Sequence, residues 1–267
     1  MIDTCQAVVL AIVQGLTEFL PISSSAHLLL PSLMLGWPDQ GLAFDVAVHV
    51  GTLAAVLLYY RADLLRMADR WVRSLAGAPL CEDSRMVWYI AMATVPAGLV
   101  GLLGGEFIEA NLRSLPVIAT TTLVFGILLG FADRRTHTTQ AGRPLGLLQA
   151  LLIGFAQALA PVPGVSRSGI TMTAALLLGL SRQASARFSF LLSIPIIASA
   201  GLLKSLDLVT AEQPVDWIQL AVGVLVSGIT AYLCIAAFLR LLDRVGFMPF
   251  VYYRVALAGL LYFIWLA

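Results

Sequence analysis

Long apolar stretches separated by short polar segments dominate the chain from end to end. A helix that crosses the hydrocarbon core of a bilayer needs about 20 mainly apolar residues. Ten-residue stretches of alternating polarity, which are typical of outer-membrane barrels, are not found in the sequence. The pattern therefore predicts an all-α polytopic membrane protein with six full transmembrane helices, at residues 44–60, 86–104, 115–132, 188–203, 217–239 and 247–266.

Two further apolar regions are interrupted by polar segments rich in proline, glycine and serine. Residues 5–20 lead into Pro-Ile-Ser-Ser-Ser and a second apolar piece that ends at residue 35. The region 145–180 has the same organisation around Pro-Val-Pro-Gly-Val-Ser-Arg-Ser-Gly. Backbone that is not helical is tolerated inside a bilayer only where it is buried in protein or lines a wet cavity. We therefore predict two re-entrant helical hairpins, at 5–35 and 145–180.

The basic residues are distributed unevenly over the loops of this arrangement. The loops on one side hold only Arg113 and Lys204, beside several acidic residues. Since cytoplasmic loops carry the excess of basic residues, we predict that both termini face outward. Counting either hairpin as a full span would spoil this asymmetry. The loops on the other side hold twelve arginines: Arg61, Arg66, Arg70, Arg73, Arg85, Arg134, Arg135, Arg143, Arg182, Arg187, Arg240 and Arg244.

The two halves of the chain resemble each other weakly. Residues 15–20 (GLTEFL) align with 154–159 (GFAQAL), although chance similarity between apolar helices is the alternative. Each half is predicted to hold one hairpin and three spans, so the second half is inverted in the membrane. We predict one membrane domain over 1–267, with a first repeat at 1–135 and a second at 145–267. Inverted repeats place the substrate site where the two repeats meet.

Composition supports the same class of protein. Hydrophobic residues make up 60% of the chain and charged residues 12%, with a net charge of +1. A soluble domain is about 25% charged, and a charge this close to neutral gives no electrostatic basis for binding nucleic acid. An ionisable side chain at the bilayer centre costs at least about 2.5–3.5 kcal/mol. The polar residues inside the hairpins are therefore the candidates for function.

The first hairpin carries two polar motifs. Gln14 and Glu18 are four residues apart on one helix face, where they could hold a divalent cation jointly or hydrogen-bond across helices. Further along, His27 follows Ser23 and Ser24 by about one helical turn, within reach of either hydroxyl group. A serine and a histidine are the minimum for an activated nucleophile, and they also occur as hydrogen-bonding residues between membrane helices.

The second hairpin carries Arg167 within a glycine-flanked turn that leads into a helix. Such a helix N-terminus presents backbone N–H groups and the positive end of the helix dipole to an anion. The guanidinium adds a planar fork that binds phosphate with two hydrogen bonds. The alternative is a structural ion pair between Arg167 and Glu18. A further pair, Asp45 and His49, either lines the mouth of the cavity or has an ordinary capping and packing role.

Two segments, QGLTEFLPISSSAH (14–27) and PGVSRSG (163–169), resemble the signature segments of the undecaprenyl-diphosphate phosphatases, also called bacitracin-resistance proteins. The resemblance covers essentially the whole chain. It implies an enzyme of the bacterial inner membrane that removes the terminal phosphate of undecaprenyl diphosphate and returns the lipid carrier to peptidoglycan synthesis. It also implies dependence on a divalent cation, Mg²⁺ or Ca²⁺, and an active site that opens toward the periplasm.

The resemblance also implies roles for individual residues. The departures from the family pattern are Gln14, which leaves Glu18 as the single carboxylate of its motif, and Ala26 and Ser25, where glycine and threonine are frequent. Whether a serine or a water activated by Glu18 attacks the phosphorus stays open. The implied catalytic residues are Ser24 or Ser23 as nucleophile, His27 for proton transfer, Glu18 and Arg167. The implied cation ligands are Glu18 and Gln14, and the implied substrate-binding residues are Arg167, Ser166, Ser168, Gly169, Ser25 and Gln14.

Other functions use the same architecture. A lipid flippase or anion transporter would also have broken helices and inverted repeats, but it needs Arg167 and no nucleophile. An intramembrane serine protease is a weaker alternative, because no Gly-x-Ser-Gly motif is found in the sequence. Bilayer lipids are expected around the prenyl tail, and assembly as a homodimer stays open.

Overall fold

The computed structural model describes residues 2–136, 144–210 and 216–266. Arg143, one of the arginines counted above, lies outside the described residues, as do the first and last residues of the predicted domain. Within the described ranges the chain forms eleven helices: α1 (Thr4–Thr17), α2 (Ser24–Leu35), α3 (Gly41–Tyr59), α4 (Arg61–Leu75), α5 (Glu82–Asn111), α6 (Leu115–Thr136), α7 (Leu147–Gln157), α8 (Arg167–Leu177), α9 (Arg182–Thr210), α10 (Trp217–Val245) and α11 (Met248–Leu266).

Helices α3, α5, α6, α9, α10 and α11 are long and apolar enough to cross a membrane. Each overlaps one of the six predicted stretches. The shortest of the predicted stretches, 188–203, lies within the much longer α9, because the polar residues that flank it continue the helix. The prediction of an all-helical, multi-pass membrane protein with six spans is confirmed.

Helix α4 is an element that the sequence analysis did not predict. It begins directly after α3 and carries exposed arginines on one face, while Met67 on the other face is buried in the main hydrophobic core. A helix with this mixed composition lies outside any search for 20-residue apolar stretches, although its 3.6-residue periodicity was a usable signal.

Four shorter helices form two pairs that correspond to the predicted hairpins. Helices α1 and α2 are joined by residues 18–23, the first tip. Helices α7 and α8 are joined by residues 158–166, which together with the first two residues of α8 form the second tip, 158–168. Each joining segment ends in a serine with an unusual backbone: φ is 74° at Ser23 and 71° at Ser166. Positive φ is unfavourable for residues other than glycine, so surrounding contacts must hold both serines in place.

Close packing through glycine fixes the first helix of each pair. A Cβ atom on Gly15 would lie 2.7 Å from the carbonyl oxygen of Ser227 in α10, and one on Gly154 would lie 2.6 Å from Cα of Ala93 in α5. These are the two glycines that begin the aligned segments of the sequence. Their missing side chains allow α1 and α7 to approach the long helices at backbone distance.

An aromatic contact connects the first tip to the main core. The ring of Phe19 is fully buried and meets Phe190 of α9 edge to face, with centroids 5.2 Å apart. Such a pair contributes about 0.5–1.5 kcal/mol of stability beyond the contribution of its buried apolar area. Because Phe19 follows Glu18 directly, this packing also limits the movement of the Glu18 backbone.

We expect that Gly15→Ala destabilises the protein by about 1–3 kcal/mol, because the added methyl group overpacks the contact between α1 and α10. Thermal unfolding in detergent measures the effect. Gly98→Ala in α5 is the matched control, since a Cβ atom there meets nothing within 4 Å. That control should leave the unfolding temperature unchanged or raise it, because alanine favours helix over glycine. Equal unfolding temperatures for the two variants would contradict the packing argument.

Candidate active site

A cavity of about 190 Å³ lies between the two tips. Its lining comes from both short helix pairs and from α3, so it belongs to neither half of the chain alone. The lining residues are Glu18, Ser23, Ser24, Ser25, His49, Ala160, Pro161, Ser166 and Arg167.

The central contact of the cavity is an ion pair between the two tips. Nη2 of Arg167 donates to Oε1 of Glu18 at 2.9 Å, and the two side chains are only 10% and 8% exposed. Nη1 of Arg167 donates to the carbonyl oxygen of Ser189 in α9. The pairing that the sequence analysis gave as the structural alternative is therefore present. It does not exclude an anion site, because both charged groups line the cavity.

The second carboxylate oxygen of Glu18 accepts from two other residues of the first helix pair. Oγ of Ser24 donates to Oε2 at 2.8 Å, and Nε2 of Gln14 donates to the same oxygen at 3.0 Å. The carboxylate is thus held between a hydroxyl group on one side and the guanidinium of Arg167 on the other. This arrangement gives Ser24 a direct acceptor for its proton.

The remaining serines bond to one another or to the backbone. Ser23 and Ser25 share a hydrogen bond of 3.1 Å between their hydroxyl groups. Ser168 donates to the carbonyl oxygen of Leu20, so the second tip is bonded to the first. Ser166 caps α8 by accepting from the backbone N–H of Gly169. Among the described residues of the second motif, Ser166 and Arg167 line the cavity, whereas Ser168 and Gly169 are not part of its lining.

The imidazole of His27 has different partners from those expected. Nδ1 lies 2.7 Å from the carbonyl oxygen of Ser23 and Nε2 lies 2.6 Å from the hydroxyl oxygen of Tyr253 in α11. Because a carbonyl oxygen only accepts, Nδ1 carries a proton and the lone pair of the neutral ring faces Tyr253. The ring therefore contacts neither serine hydroxyl, because helix geometry directs it toward the carbonyl four residues earlier.

A different histidine faces the cavity. His49 of α3 lies with Nε2 3.8 Å from Oε2 of Glu18, while its Nδ1 donates to the carbonyl oxygen of Asp45. Of the two alternatives left open for this pair, lining the cavity is therefore what the structure shows for His49. The carboxylate of Asp45 instead accepts from Gln40.

One buried residue near the tips was missed by the sequence analysis. Arg254 in α11 is fully buried and donates to backbone carbonyl oxygens of both tips. A usable signal was present, since Arg254 is a single charged residue within the predicted span 247–266, and such residues are rarely without a role.

Comparison with known proteins decides the family. The family model described as bacitracin resistance protein BacA matches residues 7–260. The chain is 57% identical to the undecaprenyl-diphosphatase of Saccharophagus degradans over 266 residues, which cover 99% of this chain and 100% of the relative. It is 55% identical to the undecaprenyl-diphosphatase of Teredinibacter turnerae over 260 residues, 97% of this chain and 98% of the relative. The chain belongs to the BacA family.

The cation implied by the BacA resemblance can be compared with the donor atoms present. Oε1 of Gln14 is buried without a hydrogen-bond partner, directly beside the carboxylate of Glu18. Rotation of the Gln14 amide by 180° would place Oε1 beside the Glu18 carboxylate. Together with Oγ of Ser24, these groups would offer oxygen atoms from three side chains to a cation. Residues 2–136, 144–210 and 216–266 contain no cluster of three acidic, histidine or cysteine side chains. These few oxygen donors fit a hard cation that completes its coordination with phosphate and water.

We expect strong energetic coupling between Glu18 and Arg167. Glu18→Gln and Arg167→Gln should each destabilise the protein, because each leaves a buried charge without its partner. The double variant should lose less than the sum, by about 0.5–3 kcal/mol, as measured by thermal unfolding in detergent. The matched control is the exposed pair Arg73–Asp69, whose N–O distance is also 2.9 Å. Coupling there should be about 0–1 kcal/mol, and an equal or smaller value for Glu18–Arg167 would contradict a buried ion pair.

Proposed function

We propose that this chain hydrolyses undecaprenyl diphosphate to undecaprenyl phosphate and inorganic phosphate. The observation that carries the proposal is the hydrogen bond from Ser24 to Glu18, in the same cavity as Arg167. Phosphoryl transfer requires a nucleophile such as a hydroxyl group, a base that accepts its proton and a positive charge that binds the phosphate. The Ser24 hydroxyl, the Glu18 carboxylate and the Arg167 guanidinium supply these three groups. The BacA family match and the names of the relatives support the lipid diphosphate as the substrate.

Substrate binding follows from the charge at the cavity. The guanidinium of Arg167 binds the terminal phosphate, since its planar fork matches two phosphate oxygens. The N-terminus of α8, which begins at Arg167, adds the positive end of a helix dipole. The prenyl tail lies in lipid between the spans, so the cavity accommodates only the diphosphate.

The chemical step uses Ser24 and Glu18. Oγ of Ser24 attacks the terminal phosphorus and its proton passes to Oε2 of Glu18, 2.8 Å away. The bond between that phosphorus and the bridging oxygen breaks, and undecaprenyl phosphate leaves with the bridging oxygen. Water then attacks the phosphorus of the phosphoserine and the bond between Oγ and phosphorus breaks. The proton held by Glu18 returns to Oγ of Ser24, and the protons of the water leave with the inorganic phosphate. Arg167 stabilises the charge on the transferring phosphoryl oxygens throughout.

The two histidines have separate roles in this scheme. His27 fixes the strained backbone of Ser23 by donating to its carbonyl oxygen, and Tyr253 fixes the ring in turn. His49 of α3 also lines the cavity, with Nε2 3.8 Å from Oε2 of Glu18. Gln14 and Glu18 are the residues that would hold a divalent cation, Mg²⁺ or Ca²⁺, which supplies neutralising charge to the phosphate oxygens when bound.

We further propose that the chain is an inverted repeat with halves at 1–135 and 145–267, and that both short helix pairs are re-entrant hairpins. The close contacts of Gly15 and Gly154 support this correspondence, as do the positive φ angles of Ser23 and Ser166. The excess of arginine in one set of loops supports an outward orientation of both termini. With that orientation, the enzyme lies in the bacterial inner membrane with its cavity open to the periplasm, where it recycles the lipid carrier.

A flippase or an anion transporter, the other function left open by the sequence, needs no nucleophile. The Ser24–Glu18 hydrogen bond and the hydrolase names of the relatives favour the phosphatase.

We expect that Ser24→Ala lowers kcat at least about a thousandfold, because it removes the nucleophile. Phosphate release from a prenyl diphosphate in detergent measures the rate, and mass spectrometry of acid-quenched protein locates a phosphoserine at position 24. Ser32→Ala is the matched control, because Ser32 lies on the same helix, donates to the carbonyl oxygen of Leu29 and does not line the cavity. Phosphate on another residue, or full activity in Ser24→Ala, would show that a different group attacks.

We expect that Gln14→Glu lowers the Mg²⁺ or Ca²⁺ concentration that gives half-maximal activity. The variant adds a second carboxylate to a cation site whose single carboxylate is Glu18, and hard cations prefer charged oxygen ligands. Titration of the metal-stripped protein with each cation gives this concentration for the variant and for the natural sequence. An unchanged half-maximal concentration would mean that the cation binds away from Gln14.

A further inference from the structure

The most unusual buried charge in the molecule is Arg254 of α11. Its side chain has no exposed surface, and among the described residues no carboxylate lies within ion-pair distance of it. A buried arginine without a counter-ion is costly unless its N–H groups are satisfied. Here every acceptor is a backbone carbonyl oxygen, so the guanidinium has been placed where several pieces of backbone converge.

The acceptors come from three parts of the chain. Nη1 donates to the carbonyl oxygen of Pro21 in the first tip at 3.2 Å. Nη2 donates to that of Gly164 in the second tip at 2.8 Å, and both terminal nitrogens reach Val165 at 3.2 Å. Nε donates to Thr122 of α6 at 3.0 Å. One side chain thus bonds both tips to each other and to a long helix.

The positions of the two tip carbonyls are equivalent. Pro21 lies two residues before Ser23, and Gly164 lies two residues before Ser166. Ser23 and Ser166 are the residues other than glycine with positive φ in the described chain, and both line the cavity. Each strained serine is therefore preceded by a carbonyl group that Arg254 holds. A strained backbone persists only where neighbouring contacts fix it, and Arg254 provides such contacts to both tips at once.

From this geometry we propose that Arg254 is a positioning residue, which holds the two tips in the register that places Arg167 and Ser24 around one phosphate. This inference rests on the proposed function. Arg254 lines no part of the cavity and need not touch substrate. Lysine cannot replace it, because an ammonium group lacks the planar set of five donors that reaches carbonyl oxygens in three directions.

Space for the guanidinium is provided by glycine. A Cβ atom on Gly126 of α6 would lie 2.9 Å from Cβ and 3.2 Å from Nε of Arg254. Gly126→Ala therefore displaces Arg254 while it keeps the arginine, its charge and every residue of the cavity. Gly130 lies one turn later on the same helix, and a Cβ atom there would lie 3.1 Å from Cγ1 of Val251. Gly130→Ala is a matched control for a methyl group added between α6 and α11.

The test measures kcat and KM for a short-chain prenyl diphosphate in detergent, for the natural sequence and for Arg254→Lys, Gly126→Ala and Gly130→Ala. We expect kcat to fall about a hundredfold in Arg254→Lys and about tenfold in Gly126→Ala, since misplacement by about 1 Å has effects of this size. KM should change by less than about threefold, because Arg167 remains to bind the phosphate. Gly130→Ala should keep both constants within about threefold.

The outcomes separate this inference from the proposed function. No phosphate release by the natural sequence would overturn the proposed function itself. Release by the natural sequence together with an unchanged kcat in Arg254→Lys would overturn the positioning role alone. If Arg254→Lys does not fold, the comparison of the two glycine variants decides: a lower kcat in Gly126→Ala alone supports the role, and equal kcat values contradict it.

Discussion

The contact between Glu18 and Arg167 is the constraint around which the rest of the structure is arranged. Its two charges lie on different tips, 149 residues apart in sequence, and are nearly withdrawn from solvent. A carboxylate or guanidinium buried here without its partner would be unfavourable. Each half of the chain therefore needs the other, and the cavity exists only where they meet. The same pairing holds the Glu18 carboxylate beside the Ser24 hydroxyl and holds the Arg167 guanidinium at the wall of the cavity.

Precise placement of this pair depends on the non-helical backbone that leads into both residues, and the structure stabilises that backbone from several directions. Gly15 and Gly154 let the helices before the tips approach long neighbours closely. Ser168 bonds one tip to the other, and Arg254 satisfies carbonyl groups of both. Pre-organisation of this kind matters for phosphoryl transfer, where positioning and charge account for most of the catalysis.

Most features of the structure that depend on local sequence could be predicted, whereas most features that depend on contacts between distant parts of the chain could not. The six spans, such as 217–239, were predictable because their length is set by the bilayer alone. The convergence of Glu18 with Ser24 and Arg167 followed from paired breaks in the pattern. The partners of His27 were not predictable, because Tyr253 reaches it only through the packing of α11. Helix α4 was missed because its apolar residues form one face and not a continuous stretch.

The proposed phosphatase reaction requires the two tips to form one phosphate site, with Ser24 and Arg167 on opposite sides of the phosphorus. A crystal structure of the protein with bound tungstate, a phosphate mimic with a strong anomalous signal, is the decisive measurement. We expect an anomalous peak in the cavity, within bonding distance of Ser24 Oγ and with oxygens that contact the Arg167 guanidinium. A peak at another site, with the Glu18–Arg167 pair intact and the cavity free of anion, would contradict it.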